Sequence, residues 1–222
     1  MQERIDLIQA LHASTKRDYI KRVVEHDKAE CAEIARRFDR EYWDGERHLG
    51  YGGYRYDGRW NPIAQRMVER YAIQASDRIL DVGCGKGYLL YEFMQIVPGV
   101  GIAGLDVSAY AIQHAKPEVR SDLIVGSAES LPYRDGEFDV VVSLGTLHNL
   151  NLPELWSAIS EIERVGTGSR KYIMVESYRN EREKANLLYW QLTCRSFFSV
   201  EDWEWIFRKA GYTGDFGFIF FE

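Results

Sequence analysis

The stretch "ILDVGCGKGYLL" sets a carboxylate, Asp81, two residues ahead of glycines at alternate positions, Gly83, Gly85 and Gly87. Glycines after an apolar run let the backbone turn tightly and approach a ligand without a β-carbon in the way. The carboxylate selects the ligand's charge, because an acid would repel a pyrophosphate and attract an ammonium group. A dinucleotide loop needs G-x-G-x-x-G/A, whereas here the spacing is G-x-G-x-G and Tyr88 follows. Three more chemically capable residues stand downstream: Asp106 in "GIAGLDVS", His148 in "LGTLHNL" and Glu176 in "ESYR". A carboxylate offers acceptors to more than one donor, and an imidazole titrates near neutrality. The three cysteines, Cys31, Cys84 and Cys194, form no CxxC or Cys/His cluster, so neither a metal site nor a disulfide framework is expected.

These groups must be held by a scaffold, and the texture after residue 76 supplies one. Short apolar runs, "RILDV", "GIAGLDV", "LIVG", "FDVVVS" and "KYIMVE", alternate with helical stretches near 86–96, 108–115, 152–165 and 180–192. That alternation predicts an α/β fold with a mainly parallel sheet and helices on both faces. Ligands of such sheets meet the carboxyl ends of the strands, where Asp81, Asp106, His148 and Glu176 fall. Helix starts are signposted by Ser108, Asn151 and Ser199, with Gly211 as a stop, and Asn61 before Pro62 reads as another N-cap. The tail "GDFGFIFFE" reads as a last strand, with 192–198 as an antiparallel partner. Ahead of the sheet, residues 16–40 read as a helical arm with Tyr19, Val23, Val24, Cys31, Ile34 and Phe38 on one side. The expected division is an arm and aromatic segment at 1–60 and a ligand-binding domain at 61–222.

The chain has 222 residues, 45% hydrophobic and 28% charged, with a net charge of −6. An acidic balance argues against nucleic-acid binding, which usually needs a basic face. No run approaches the ~20 apolar residues of a membrane span, and the opening "MQERIDLIQALHAS" has acids and no secretory core. A cytoplasmic protein is expected, with no membrane or nucleic-acid partner.

The segment "LDVGCGKG" resembles motif I of the class I S-adenosylmethionine-dependent methyltransferases, and the resemblance runs from 78 to 176. It implies a Rossmann-like sheet whose glycine loop passes the methionine part of the cofactor, with Asp81 toward its amino group. It also implies that Asp106, with Val107 beside it, accepts hydrogen bonds from the ribose hydroxyls. "VGSAESLP" is similar to the adenine-reading loop, with the Ala128 amide as the contact; Ser127 stands where the family often has an aspartate. "FDVVVSLGTLHNL" matches the fourth strand and the turn beside the sulfonium, which brings in Leu144 and makes His148 a candidate general base. Glu176, leaving the fifth strand, is a candidate acceptor contact, with Tyr178 and Arg179 following it.

Such a site needs a cover, and "DGERHLGYGGYRYDGRW" precedes the core directly. It is similar to the N-terminal signature of a group of small stand-alone bacterial methyltransferases. Tyr51, Tyr54, Tyr56 and Trp60 can wall a ligand, and Arg47, Arg55 and Arg59 can form a fork for a carboxylate or phosphate. An extended 54–56 would put Tyr54 and Tyr56 on one face and Arg55 on the other. The expected reaction is in-line methyl transfer from S-adenosylmethionine, leaving S-adenosylhomocysteine, to nitrogen or oxygen of a small molecule, anionic if the fork forms. The alternatives are an NAD-dependent oxidoreductase and an inactive cofactor-binding protein.

Overall fold

The computed structural model describes residues 3–8, 12 and 17–222. Its centre is a six-stranded sheet of order β3-β2-β1-β4-β5-β6, formed by β1 (Arg78–Val82), β2 (Gly101–Asp106), β3 (Leu123–Val125), β4 (Val140–Leu144), β5 (Lys171–Glu176) and β6 (Asp215–Ile219). Every pairing is parallel. β1 lies between β2 and β4, with Leu80 opposite both Ala103 and Val141. The winding direction reverses at that point, which opens a crevice at the carboxyl ends of β1 and β4.

The strands are almost continuously apolar because both faces are covered. Alternation sends Leu80, Val82, Ile173 and Val175 to one face, against α7 (Leu152–Val165) and α9 (Val200–Lys209). Ile79, Val140, Val142 and Met174 go to the other, against α4 (Asn61–Tyr71) and α5 (Tyr88–Ile96). The remaining core helices are α6 (Ala109–Gln113) and α8 (Glu181–Trp190). Ser108 caps α6, and Asn151 and Ser199 form capping boxes with Glu154 and Asp202. At the outer margin the Ile5 amide donates to the Phe216 carbonyl, and the Phe216 amide donates to Glu3.

Three expectations are corrected. The arm is not one helix: α1 (Tyr19–Glu25) ends at His26, α2 (Lys28–Ala35) follows, and α3 (Arg40–Trp43) is a single turn. Asp18, Asp27 and Asp39 each accept amide hydrogen bonds at a helix start, so local capping outcompetes continuation. As a result Val24 is 75% exposed rather than on a buried stripe. Asn61 lies inside α4, not at its cap, and its amide donates to Glu92 at 2.8 Å. Finally, β6 pairs with β5 in parallel, and 192–198 is not a strand. Two helices, α8 and α9, separate β5 from β6, enough chain for a parallel crossover.

Candidate active site

The loop after β1 is shaped by two contacts that only glycine permits. A β-carbon on Gly83 (φ +86°) would overlap the Thr146 side chain, so the loops after β1 and β4 touch there. One on Gly85 (φ +53°) would lie 2.9 Å from the Trp43 ring. Asp106 holds this loop from beneath, accepting the Gly85 amide at 2.7 Å and the Ser108 amide at 2.8 Å. Burial raises the Asp106 carboxyl, against the pull of those two amides. Burial, and then the neighbouring Asp106, push Asp81 up to about 8. A buried carboxyl so destabilised as an anion favours a cationic ligand.

The aromatic segment closes over this loop. Trp43 is buried, donates its indole N–H to Ser108 Oγ at 2.9 Å, and stacks on Tyr51 at 5.3 Å. Tyr51 packs on Tyr54, Tyr54 stacks on Tyr88, and the Trp60 indole donates to Tyr54 Oη. Lys86, from the glycine loop itself, donates to both oxygens of Asp44 and to the Tyr54 carbonyl at 2.9 Å. Tyr110 also donates to Asp44. The cover is thus bolted to the loop it covers.

Between them lies a cavity of about 440 Å³. Asp81, Gly83, Gly85, Leu144, His148 and Glu176 line it from the sheet, and Tyr51, Tyr54, Arg55, Arg59 and Trp60 from the cover. Gly87, Asp106, Val107, Ser127 and Ala128 do not line it. They belong to the start of α5 and the segments at the carboxyl ends of β2 and β3, and Trp43, which lines the cavity, is bonded to Ser108 beside Asp106. Ser127 is exposed and shares a hydrogen bond with Glu129.

Several expected lining residues face elsewhere. Tyr56 turns outward and donates to Glu92 at 2.7 Å, while Arg55 lines the cavity, so the extended-strand reading of 54–56 fails. Segment 54–57 has no strand hydrogen bonding to impose alternation. Tyr178 makes a bridge to Ser199, and Arg179 is committed to Glu183 and Glu222; neither lines the cavity. The fork of Arg47, Arg55 and Arg59 does not form, because Arg59 pairs with Asp57 and Arg47 donates to the carbonyls of Gly50 and Tyr51. Arg47 instead joins Arg17 and Arg22 around Trp190. Sequence reasoning missed Arg17, Arg22 and Trp190; the basic run "KRDYIKR" was the available signal.

His148 and Glu176 meet at the far wall. The Glu176 amide donates to His148 Nδ1 at 3.4 Å, which leaves the ring proton on Nε2. Nε2 approaches Glu176 Oε2 to 3.3 Å without hydrogen-bond alignment, so Oε2 is buried with no hydrogen bond. Glu176 Oε1 accepts from Gln191. Burial lowers His148 to about 3 and raises Glu176 to about 8. The resting pair is therefore a neutral imidazole beside a neutral carboxyl, with one carboxyl oxygen available to a ligand in the cavity. Among the described residues no cluster could hold a metal ion, and no helix is long and apolar enough to cross a membrane.

Residues 80–168 match the family model described as a methyltransferase domain. An uncharacterised methyltransferase of Synechocystis is 33% identical over 127 residues, covering 57% of each chain. The 27-O-demethylrifamycin SV methyltransferase of Amycolatopsis mediterranei is 29% identical over 131 residues, covering 56% of this chain and 45% of that one. Among solved structures, YcgJ from Bacillus subtilis aligns over 66% of each chain with a TM-score of 0.55 at 21% identity, a likeness of fold. The chain spans about half the length of the curated relatives it matches.

Proposed function

Because this chain belongs to the class I S-adenosylmethionine-dependent methyltransferases, we propose that it transfers a methyl group to nitrogen or oxygen of a small molecule bound between its aromatic cover and Glu176. The residues fit that cofactor. Gly83 and Gly85 bring bare backbone to the cavity wall beside Asp81, a buried carboxyl short of positive charge. The cofactor supplies an electrophilic methyl group on a sulfonium.

The chain's own residues do the rest. Asp81 and the glycine loop take the methionine end, and Asp106 with the Ala128 amide takes the nucleoside end. Trp43, a lining residue bonded to Ser108, packs beside both groups. The aromatic cover excludes water and aligns the acceptor for in-line attack. Glu176, once ionised, would accept the proton that the acceptor gives up on receiving the methyl group a bound cofactor would supply. His148 acts as a positioning residue, holding Glu176 between its ring and the strand backbone.

The observation that carries this reading is one cavity lined by both Asp81 and Glu176, whose Oε2 is buried without a hydrogen bond. Calorimetry with S-adenosylhomocysteine and with NAD tests the cofactor half. Cell extract incubated with the protein and methyl-labelled cofactor, followed by untargeted mass spectrometry, tests the transfer. Binding of NAD alone would overturn the proposal.

A further inference from the structure

The cavity's end beside α8 is built from positive charge. Arg22 and Arg47 set their guanidinium carbons 4.5 and 5.3 Å from the centroid of the Trp190 ring, and Arg17 lies at 5.4 Å. Cation–π attraction to the indole helps hold them together. Among the described residues no carboxylate forms an ion pair with Arg22 or Arg47. Their partners are main-chain oxygens: Arg22 donates to the Arg47 carbonyl at 3.2 Å, and Arg47 to that of Gly50 at 2.7 Å. Arg22 Nε is buried without a hydrogen bond.

His12, beside Arg17, adds no positive charge of its own. His12 shares one ring nitrogen with the Phe220 carbonyl and the other with Arg17. A carbonyl only accepts and a guanidinium only donates, so the ring is neutral, and burial lowers it to about 4. Burial, then the charge of Arg47, lowers Arg22 to about 10; burial lowers Arg47 as well. Arg22 and Arg47, at the cavity wall with no carboxylate paired to either among the described residues, carry a desolvation cost that a bound anion relieves.

The cluster sits at the acceptor's end. Trp190 closes the helix that follows β5, and β5 lies two strands from β1, about 10 Å across the sheet. Asp81 feels burial and Asp106 but no arginine, whereas Arg17 feels Glu176.

Resting on the methyltransferase reading, we propose that the methyl acceptor carries an oxyanionic group, carboxylate or phosphate, gripped by Arg22 and Arg47 over Trp190, with its nucleophilic atom toward Glu176. Arg17 extends the same positive wall.

Benzoate and phenyl phosphate, titrated by calorimetry into protein with and without saturating S-adenosylhomocysteine, separate the two readings. At least one anion is expected to bind the loaded protein without displacing the nucleoside. Arg22→Met and Arg47→Met should each weaken that anion at least tenfold and leave nucleoside affinity within twofold, with Arg47→Lys intermediate. Anion binding that ignores both substitutions, or no binding by either anion, would overturn the proposal. So would competition with the nucleoside, which would assign the cluster to the cofactor's own carboxylate. Absence of nucleoside binding alongside arginine-dependent anion binding would instead sink the methyltransferase reading and leave the anion site standing.

Discussion

Lys86 Nζ lies 2.7 Å from Asp44 Oδ2, a charge pair that joins the glycine loop of the sheet to the segment covering it. The lysine is almost fully buried and the aspartate keeps 26% of its side chain exposed. Removing one partner of a fully buried pair costs ~3–5 kcal/mol, and residual solvation of Asp44 reduces that to about 2. Lys86→Met is therefore expected to lower the melting temperature by roughly 4–8 °C and to speed proteolysis within 45–60. Burial opposes ionisation of Asp44, but hydrogen bonds from Lys86 and Tyr110 outweigh it and hold the carboxyl below its ordinary value. A depressed acid stabilises above its unfolded pKa, so this contribution disappears in acid, below about pH 4. Proteolysis of the cover should accelerate there and not at alkaline pH.

Asp81 carries the opposite sign. Its carboxyl is raised to about 8, so its contribution to stability is full below the unfolded value near 4 and is lost as pH rises toward 8. A ligand ammonium beside it would expel the proton. Binding of S-adenosylhomocysteine at pH 7 should release close to one proton, seen as a dependence of calorimetric enthalpy on buffer ionisation heat. Asp81→Asn should abolish that dependence and weaken binding; proton release unchanged in the variant would remove Asp81 from the amino-group role.

Catalysis should follow ionisation of Glu176, raised by burial to about 8. The proposed base role predicts turnover that climbs with pH and levels above about 8. Glu176→Gln should lower turnover by about 10²-fold or more and flatten the profile. His148→Asn should displace the profile's midpoint while leaving nucleoside affinity intact. A variant at 148 with an unshifted midpoint would confine that ring to packing.

Gly85 and Trp43 should show coupling. Gly85→Ala adds a β-carbon 2.9 Å from the indole and forces alanine into φ +53°, a backbone cost of ~1–2 kcal/mol before any clash. Adding Trp43→Ala should recover the steric part, so the double variant should lose less stability than the two single losses added. Strict additivity in denaturant unfolding would show that the ring moves freely off the loop.

The sheet was readable because each strand is an apolar run bounded by turn residues, and the capping boxes at Asn151 and Ser199 announce their helices. Asp81, Gly83, Gly85, His148 and Glu176, which line the cavity, follow from their places at or just after strand ends. What escaped depends on three-dimensional meeting. Nothing in the spacing of Arg22, Arg47 and Trp190 tells that two helices and a turn far apart in sequence bring them to one wall. Tyr56 misled because alternation holds only where strand hydrogen bonds enforce it, and Tyr178 because following Glu176 in the chain does not turn its side chain to the cavity. The tail misled because chain length between strands, rather than adjacency, decides whether a pair can run parallel.

The short stretch at residues 3–5, laid along the outer margin of β6, bears on how the cover should be probed. A strand margin left without partners is a template for joining other chains. Here the N-terminal residues occupy it, so cutting them away to expose the cavity would also create a sticky edge, and lost activity in such a truncation would report self-association as readily as loss of the cover. Point substitutions at Lys86, Asp44 or Trp43 loosen the cover while the margin stays sealed.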